Sequence, residues 1–212
     1  GRSWKPGEKS FLPEELSSLV IRSIVEDAQN YLGEEIEEAV ISVPAYFHDE
    51  QRVAVKRAGA LAGIHVERIV NEPSAAALAS YFTANEEQNM LVFDFGGGTL
   101  DVSLVDCFDT MVEIVSVAGN NRLGGDDFDR LIAEHFLREH GVARQQLRAQ
   151  EYAVLLKQAE RCKKLLSEQD EVVMHATVGD QLYESTYTMD RLFEESKALL
   201  KEIRQVIGRA LK

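Results

Sequence analysis

The chain has 212 residues, of which 45% are hydrophobic and 28% charged, so it has the composition of a globular protein rather than a disordered or fibrous one. Thirty-six acidic residues against 23 basic ones give a formal net charge of -13, which disfavours nucleic acid and anionic membranes as partners. No apolar run approaches the roughly 20 residues of a membrane span, and Cys107 and Cys162 lack metal-ligand spacing, which predicts buried reduced thiols in a cytoplasmic protein.

The first half of the sequence alternates helix and strand patterns. A helix is predicted from Pro13 to a stop at Gly33. The strand EAVISV ends at Pro44, a second helix ends at Gly63, and the strand VERIV leads into an Ala-rich helix capped by Asn71. This alternation predicts α/β architecture. The apolar stripe of the first helix consists of Leu16, Val20, Ile24, Ala28 and Leu32.

The second half opens with three strand-like runs, NMLVFDF, TLDVSLVD and TMVEIVSVAG, which predict an antiparallel meander with the first, most apolar strand at its centre. A helix with Asp126 as N-cap follows, and another is predicted from about Gln150 to Ser167. A hairpin is expected to turn at Gly179 and Asp180, before a last helix. The apolar face of the first of these helices carries Phe128, Leu131, Ile132, His135 and Phe136.

The segment LVFDFGGGTLDVSLV places Asp94 and Asp101 on either side of three glycines, Gly96, Gly97 and Gly98. Glycines after a strand allow backbone N–H groups to approach a phosphate closely, and the Thr99 hydroxyl adds a donor. Acids alone would repel phosphate, so the pattern indicates a bridging divalent cation such as Mg²⁺. A plain hairpin with incidental acids is the alternative.

Three further motifs each have a structural and a functional interpretation. Glu72 begins a helix, where it is either a first-turn acid or a group that orients an attacking water. The glycines Gly124 and Gly125 precede a helix that either binds an anion or is simply capped by its own acids. A polar helix face is either solvated or binds a ligand, and it carries Glu160, Lys163, Lys164 and Ser167.

Two short segments, DFG at 94–96 and VAVK at 53–56, match protein-kinase signatures in the kinase order. The lysine of that pair should lie on a strand, but here it falls inside a helical pattern. The sequence also lacks the His-Arg-Asp catalytic motif with its following Asn. A protein kinase is therefore excluded.

Taken together, the segments AVISVPAYFHDEQRVAVKRAGALAGI, RIVNEPSAAALA, FDFGGGTLDVS, RLGGDDFD and ERCKKLLS closely resemble the nucleotide-binding domain of the DnaK-type heat-shock chaperones, the heat-shock protein 70 family. Their order and spacing match over nearly the whole chain, with features of a divergent bacterial member. The resemblance implies an actin-like ATPase (ribonuclease H-like) fold. Residues 1–87 would belong to lobe I, 88–142 to the core of lobe II and 143–212 to its outer subdomain.

The resemblance also implies a function and a set of ligands. The parent would be an ATP-hydrolysing chaperone that couples ATP or ADP, with Mg²⁺ and K⁺, to peptide binding. Its partners would be a J-domain co-chaperone, unfolded peptide and a nucleotide-exchange factor. An actin-like sugar kinase is the alternative.

Individual residues take their roles from the same resemblance. Glu72, Asp94, Thr99 and Asp101 would be catalytic, with Asp94 and Asp101 around the metal. Pro44, Arg52 and Arg68 would belong to the relay toward the peptide-binding domain and the J-protein surface. The implied nucleotide-binding residues are Gly96, Gly97, Gly98, Thr99, Gly124, Gly125, Glu160, Lys163, Lys164 and Ser167.

The sequence departs from the family pattern at Leu100, His48 and Ser74, where the family has Phe, Asn and Thr. The first phosphate hairpin, the phosphate-contacting lysine and the later glycine-serine loop over adenine have no counterpart here. The sequence begins without Met and stops within a helical pattern. We therefore expect a central fragment of the domain that lacks full ATPase activity.

Overall fold

The computed structural model describes residues 10–84, 88–108, 111–179 and 181–212. It has mixed α/β architecture, as the sequence predicts. None of the helices in these ranges combines the length and apolar character that a membrane-spanning segment requires. The elements are α1 (Pro13–Leu32), β1 (Glu38–Val43), α2 (Asp49–Ala62), β2 (His65–Asn71), α3 (Glu72–Ala84), β3 (Gln88–Phe95), β4 (Leu100–Phe108), β5 (Met111–Asn120), α4 (Gly125–Glu139), a 3-10 turn (Arg144–Gln146), α5 (Ala149–Leu165), β6 (Glu171–Val178), β7 (Gln181–Thr188) and α6 (Met189–Ala210).

The chain divides into two compact units. Within the described residues, the first contains those up to Met90 together with those of Val105–Val115, and the second contains those of Leu91–Leu104 and Ser116–Lys212. In the first unit, β1 and β2 pair in parallel, and α2 connects them. Gly59 lets α2 approach β2, because a Cβ there would lie 2.2 Å from Val66 Cγ2.

Helix α1 begins and ends where the sequence predicts, but three of the five residues in its apolar stripe are exposed. Gly33 closes the helix with φ 72°, a left-handed conformation that favours glycine. Helix α1 packs against α2, and Arg22 Nη2 donates to Leu61 O at 2.8 Å. The half-buried apolar residues include Ile21 and Val25, whereas Val20, Ile24 and Leu32 are exposed. The apolar stripe is therefore only partly covered, because the neighbouring elements contact a different part of the helix surface.

The next three strands form a sheet in the order β3-β4-β5. The prediction that β3 is central is wrong, since β4 lies in the middle and is the most buried of the three. Apolar composition did not distinguish the two strands, because both are rich in Val, Leu and Phe. Leu100, Val102 and Val105 of β4 are all fully buried.

The second unit has two clusters of buried apolar side chains. The larger is formed by α4, α5, the hairpin β6-β7 and the start of α6, and the smaller joins β4 to the end of α6 through Val206 and Ala210. The predicted hairpin is confirmed, and Gly179 turns it with φ 63°, although Asp180 lies outside the described residues. Both cysteines are buried and free, as predicted, and burial raises the pKa of the Cys162 thiol to about 11.

Two helix boundaries differ from the predictions. The N-cap of α4 is Gly124 rather than Asp126, and Asp127 accepts the Gly124 N–H at 2.8 Å. The side chain that satisfies this end of the helix therefore belongs to its first turn. Helix α5 ends at Leu165, so Ser167 lies in the turn that follows.

Candidate nucleotide-binding site

The glycine loop joins β3 to β4 and places the two predicted acids on the strands that flank it. Asp94 is the penultimate residue of β3, and Asp101 is the second residue of β4. Gly96 N donates to Thr99 O at 2.9 Å, which closes the loop. None of the three glycines has a left-handed φ, so the loop does not need glycine for its backbone conformation. These glycines matter because the absence of a side chain leaves space beside the loop backbone.

Asp101 is the electrostatically strained residue of the loop. Partial burial raises the pKa of its carboxyl, and the negative charge of Asp94 raises it further. Asp101 Oδ1 is buried and has no hydrogen-bond partner among the residues that the structure describes. Gly119 on β5 makes room for this oxygen, since a Cβ there would lie 2.5 Å from it. An unpaired buried carboxylate oxygen beside a second carboxylate fits a divalent cation such as Mg²⁺.

The N-terminus of α4 is bound to the glycine loop. Gly125 N donates to Gly96 O at 2.9 Å, and Asp126 N donates to Gly97 O at 2.7 Å. A Cβ on Gly124 would lie 2.3 Å from Gly97 O, so only glycine permits this approach of the two backbones. The first amides of α4 therefore already have acceptors in the glycine loop. Gly124 and Gly125 allow the start of α4 to hold that loop in place.

Lys163 connects α5 to the same region. Its ammonium donates to Gly125 O at 2.9 Å and lies 2.7 Å from Asp129 Oδ1. Asp129 is buried, and desolvation raises the pKa of its carboxyl, although the adjacent Lys163 charge lowers it. The lysine therefore neutralises a buried carboxylate while it supports the turn on which the glycine loop rests.

The remaining residues of the predicted adenosine face lie at the solvent-facing side of α5. Lys164 Nζ lies 2.6 Å from Glu160 Oε1 in an exposed pair, and the hydrogen bond from Lys164, together with its charge, lowers the pKa of the Glu160 carboxyl. Ser167 is exposed just beyond the helix. A cavity of about 220 Å³ adjoins this face. Its lining residues are Asp126, Asp129, Arg130, Leu156, Lys157 and Glu160.

The other predicted residues belong to the first unit. Glu72 is the first residue of α3, directly after β2. Arg52 on α2 donates to Phe47 O at 3.1 Å and to Asn71 Oδ1 at 2.7 Å, so it ties the loop after β1 to the residue that precedes Glu72. Pro44 O accepts the Phe47 N–H in that loop. Arg68 is exposed on β2.

Two residues of this region were not predicted from the sequence, whereas Asp127 caps the start of α4 as one of its own acids, which was one of the two interpretations of that helix. Asp129 forms the buried pair with Lys163, and Gly119 provides space for Asp101. Asp129 precedes the apolar Ile132 by three residues, so it lies beside the apolar face of the predicted helix, and this spacing was the available signal for it. No sequence signal pointed to Gly119, because Asp101, the residue for which it makes room, lies on another strand.

The mixed α/β fold and the acid-flanked glycine loop have a counterpart among known protein families. The family model described as Hsp70 protein matches residues 3–212, so the chain belongs to the Hsp70 family. Among curated relatives, Chaperone protein dnaK3 of Thermosynechococcus vestitus (strain NIES-2133 / IAM M-273 / BP-1) is 42% identical over 214 residues. The match covers 96% of this chain and 31% of that relative, so the chain spans about a third of the relative's length.

Proposed function

We propose that the chain forms part of the ATP-binding and ATP-hydrolysing domain of an Hsp70-type chaperone, with an actin-like ATPase fold. The observation that carries the proposal is the unpartnered, buried Asp101 oxygen beside Asp94 at the end of a glycine loop. Residues 1–87 are assigned to lobe I, and residues 88–142 and 143–212 to lobe II. Family membership favours this function over an actin-like sugar kinase.

Asp94 and Asp101 are the proposed holders of Mg²⁺, with K⁺ as a further cation. When bound, the metal would neutralise negative charge on phosphate oxygens. The Thr99 hydroxyl and the loop amides are proposed to orient the phosphates by hydrogen bonding. Gly98 supports this assignment, because a Cβ there would meet no heavy atom within 4 Å. The loop is therefore open on the side where a ligand would approach.

Glu160, Lys163, Lys164 and Ser167 are proposed to contact the adenosine, next to the cavity lined by Glu160. Lys163 has a second role as the partner of Asp129. The variant Lys163→Ala consequently removes a structural ion pair together with any ligand contact. It is a poorer test of binding than a change in the glycine loop.

Glu72 is proposed to orient the attacking water, and Pro44, Arg52 and Arg68 to transmit the nucleotide state in the full-length protein. The Arg52 bond to Asn71 supports this, because it ties the Pro44 loop to the residue before Glu72. The full-length protein would then work with a J-domain co-chaperone, a nucleotide-exchange factor and unfolded peptide. In that protein, Glu72→Ala should lower ATP turnover while Mg·ATP affinity persists, and unchanged turnover would remove Glu72 from the mechanism.

Calorimetric titration of the chain with Mg·ADP and Mg·ATP tests the binding site. Gly98→Ala adds a methyl group to open space, so we expect an unchanged melting temperature and a loss of affinity of about tenfold or more. Gly208→Ala is the matched control, since a Cβ on this glycine of α6 also meets no atom within 4 Å. Equal affinities for the two variants would refute the loop as the phosphate site. No binding by the folded wild-type chain would mean that the site requires the longer protein.

A further inference from the structure

The first residues of β1 and β2 bring a histidine and two glutamates together on an exposed face. Glu38 and His65 are register partners in the parallel pair, and Glu67 lies two residues after His65 on the same face of β2. His65 N donates to Glu37 O at 2.9 Å, which fixes this end of the pairing. The potential ligand atoms of Glu38, His65 and Glu67 all lie within 4.8 Å of one another.

We propose that Glu38, His65 and Glu67 bind a divalent transition-metal ion of the zinc type. In a tetrahedral zinc site with bonds of about 2.1 Å, neighbouring ligand atoms are about 3.4 Å apart. His65 Nε2 and Glu67 Oε2 are already separated by 3.4 Å. The exposed Glu38 side chain is free to rotate toward them, and water would complete the coordination.

The chemistry of the three ligands favours zinc over the cation proposed for the glycine loop. Mg²⁺ prefers oxygen ligands and rarely binds imidazole, whereas zinc accepts both nitrogen and carboxylate oxygen. Four of the five residues 34–38 are glutamates, and all four are exposed, so the local field attracts cations. A bound ion would join β1 to β2 across their shared edge. This inference does not depend on the nucleotide-binding proposal.

A second His-Glu pair provides a matched control within the same chain. His175 and Glu184 are register partners on β6 and β7, and His175 Nδ1 lies 3.4 Å from Glu184 Oε2. Both pairs are more than half exposed. Among the described residues, no third histidine, cysteine or acid joins the His175 pair closely enough to complete a metal site.

The test is calorimetric titration of the 212-residue chain with ZnCl₂ in buffer that contains excess MgCl₂, so that sites for hard cations are already occupied. We expect one zinc site in the wild type, with affinity lowered about tenfold or more in His65→Ala and in Glu67→Gln. His175→Ala should retain wild-type affinity. All of these side chains are exposed, and circular dichroism would check that each variant is folded.

Two outcomes would overturn the proposal. If the wild type binds no zinc, the cluster is a surface group of ionic contacts only. If His65→Ala and His175→Ala reduce binding equally, zinc is held by individual surface histidines, and the three-residue site does not exist. A selective loss in His65→Ala, matched by Glu67→Gln, supports it.

Discussion

Asp101 is the residue at which the fold has its clearest conflict with stability. Its carboxyl is partly desolvated, faces the charge of Asp94 and has an oxygen without a hydrogen bond. Such a group costs free energy while it is ionised and unpaired. This loss of stability is explained if the two carboxylates bind a cation, because a bound cation would neutralise their charge.

We therefore expect Asp101→Asn to raise the melting temperature of the ligand-free chain at pH 7. The raised pKa means that the folded chain binds the Asp101 proton more tightly than the unfolded chain does. Its contribution to wild-type stability is thus greatest below the unfolded pKa and is lost as the pH rises through the folded one. The advantage of the variant should shrink as the pH falls into the carboxyl range. Thermal melts across pH measure this, and a lower melting temperature for Asp101→Asn at pH 7 would contradict it.

Among the elements, α6 is fixed to α4 and β7 through one carboxylate. Glu195 lies near His135 Nδ1 (2.9 Å), Arg138 Nη2 (3.1 Å) and Tyr187 Oη (2.8 Å). Arg191 Nη1 lies 2.8 Å from His135 Nε2, and since arginine can only donate, Nε2 accepts and Nδ1 carries the hydrogen toward Glu195. His135 is buried, so its orientation depends on both partners.

Glu195→Ala should lower the free energy of unfolding by about 2–3 kcal/mol, because three donors lose their acceptor and one of them is a buried imidazole. The adjacent Glu194 is the control. It pairs only with exposed Lys197 among the described contacts, at 2.6 Å. Glu194→Ala should therefore change stability by no more than about 0.5 kcal/mol. Urea denaturation would compare the two, and similar losses would show that the network does not hold α6.

Local sequence signals located most of the elements but not the way they pack. Proline near the start of α1 and glycine at its end set its bounds, and the glycine loop between β3 and β4 was recognisable from composition alone. Which strand lies in the middle depends on pairing between distant segments, so β3 rather than β4 was predicted as the central strand. For the same reason, the exposed Val20 could not be distinguished from the half-buried Val25 on α1.

The candidate site shows the same limit. Its glycines and acids lie in recognisable motifs, so their residue types could be predicted. The contacts that hold them could not, because Lys163 reaches Asp129 across 34 residues and Gly119 meets Asp101 across neighbouring strands. Neither pair has a spacing that a helix or strand period would reveal.

At the scale of the whole molecule, charge is the dominant feature. Thirty-six acidic residues against 23 basic ones leave the folded chain with a net charge of -13, and compaction brings these like charges closer together. Exposed ion pairs such as Lys164 with Glu160 contribute little against this repulsion. We infer that the compact state is weakened by its own charge at low ionic strength.

Raising NaCl from about 10 mM to about 200 mM at pH 7 should therefore raise the melting temperature, because the screening length falls from roughly 30 Å to below 10 Å. We expect a rise of about 2 °C or more, which corresponds to about 1 kcal/mol of stabilisation for a chain of this size. Tetramethylammonium chloride at equal ionic strength is the control, since it screens charge but is too large and weakly coordinating to occupy a carboxylate site. Equal rises in the two salts would support general repulsion. If MgCl₂ raises the melting temperature and neither of these two salts does, the effect belongs to the Asp94 and Asp101 site. A lower melting temperature in both NaCl and tetramethylammonium chloride would show that attractive ion pairs outweigh the repulsion.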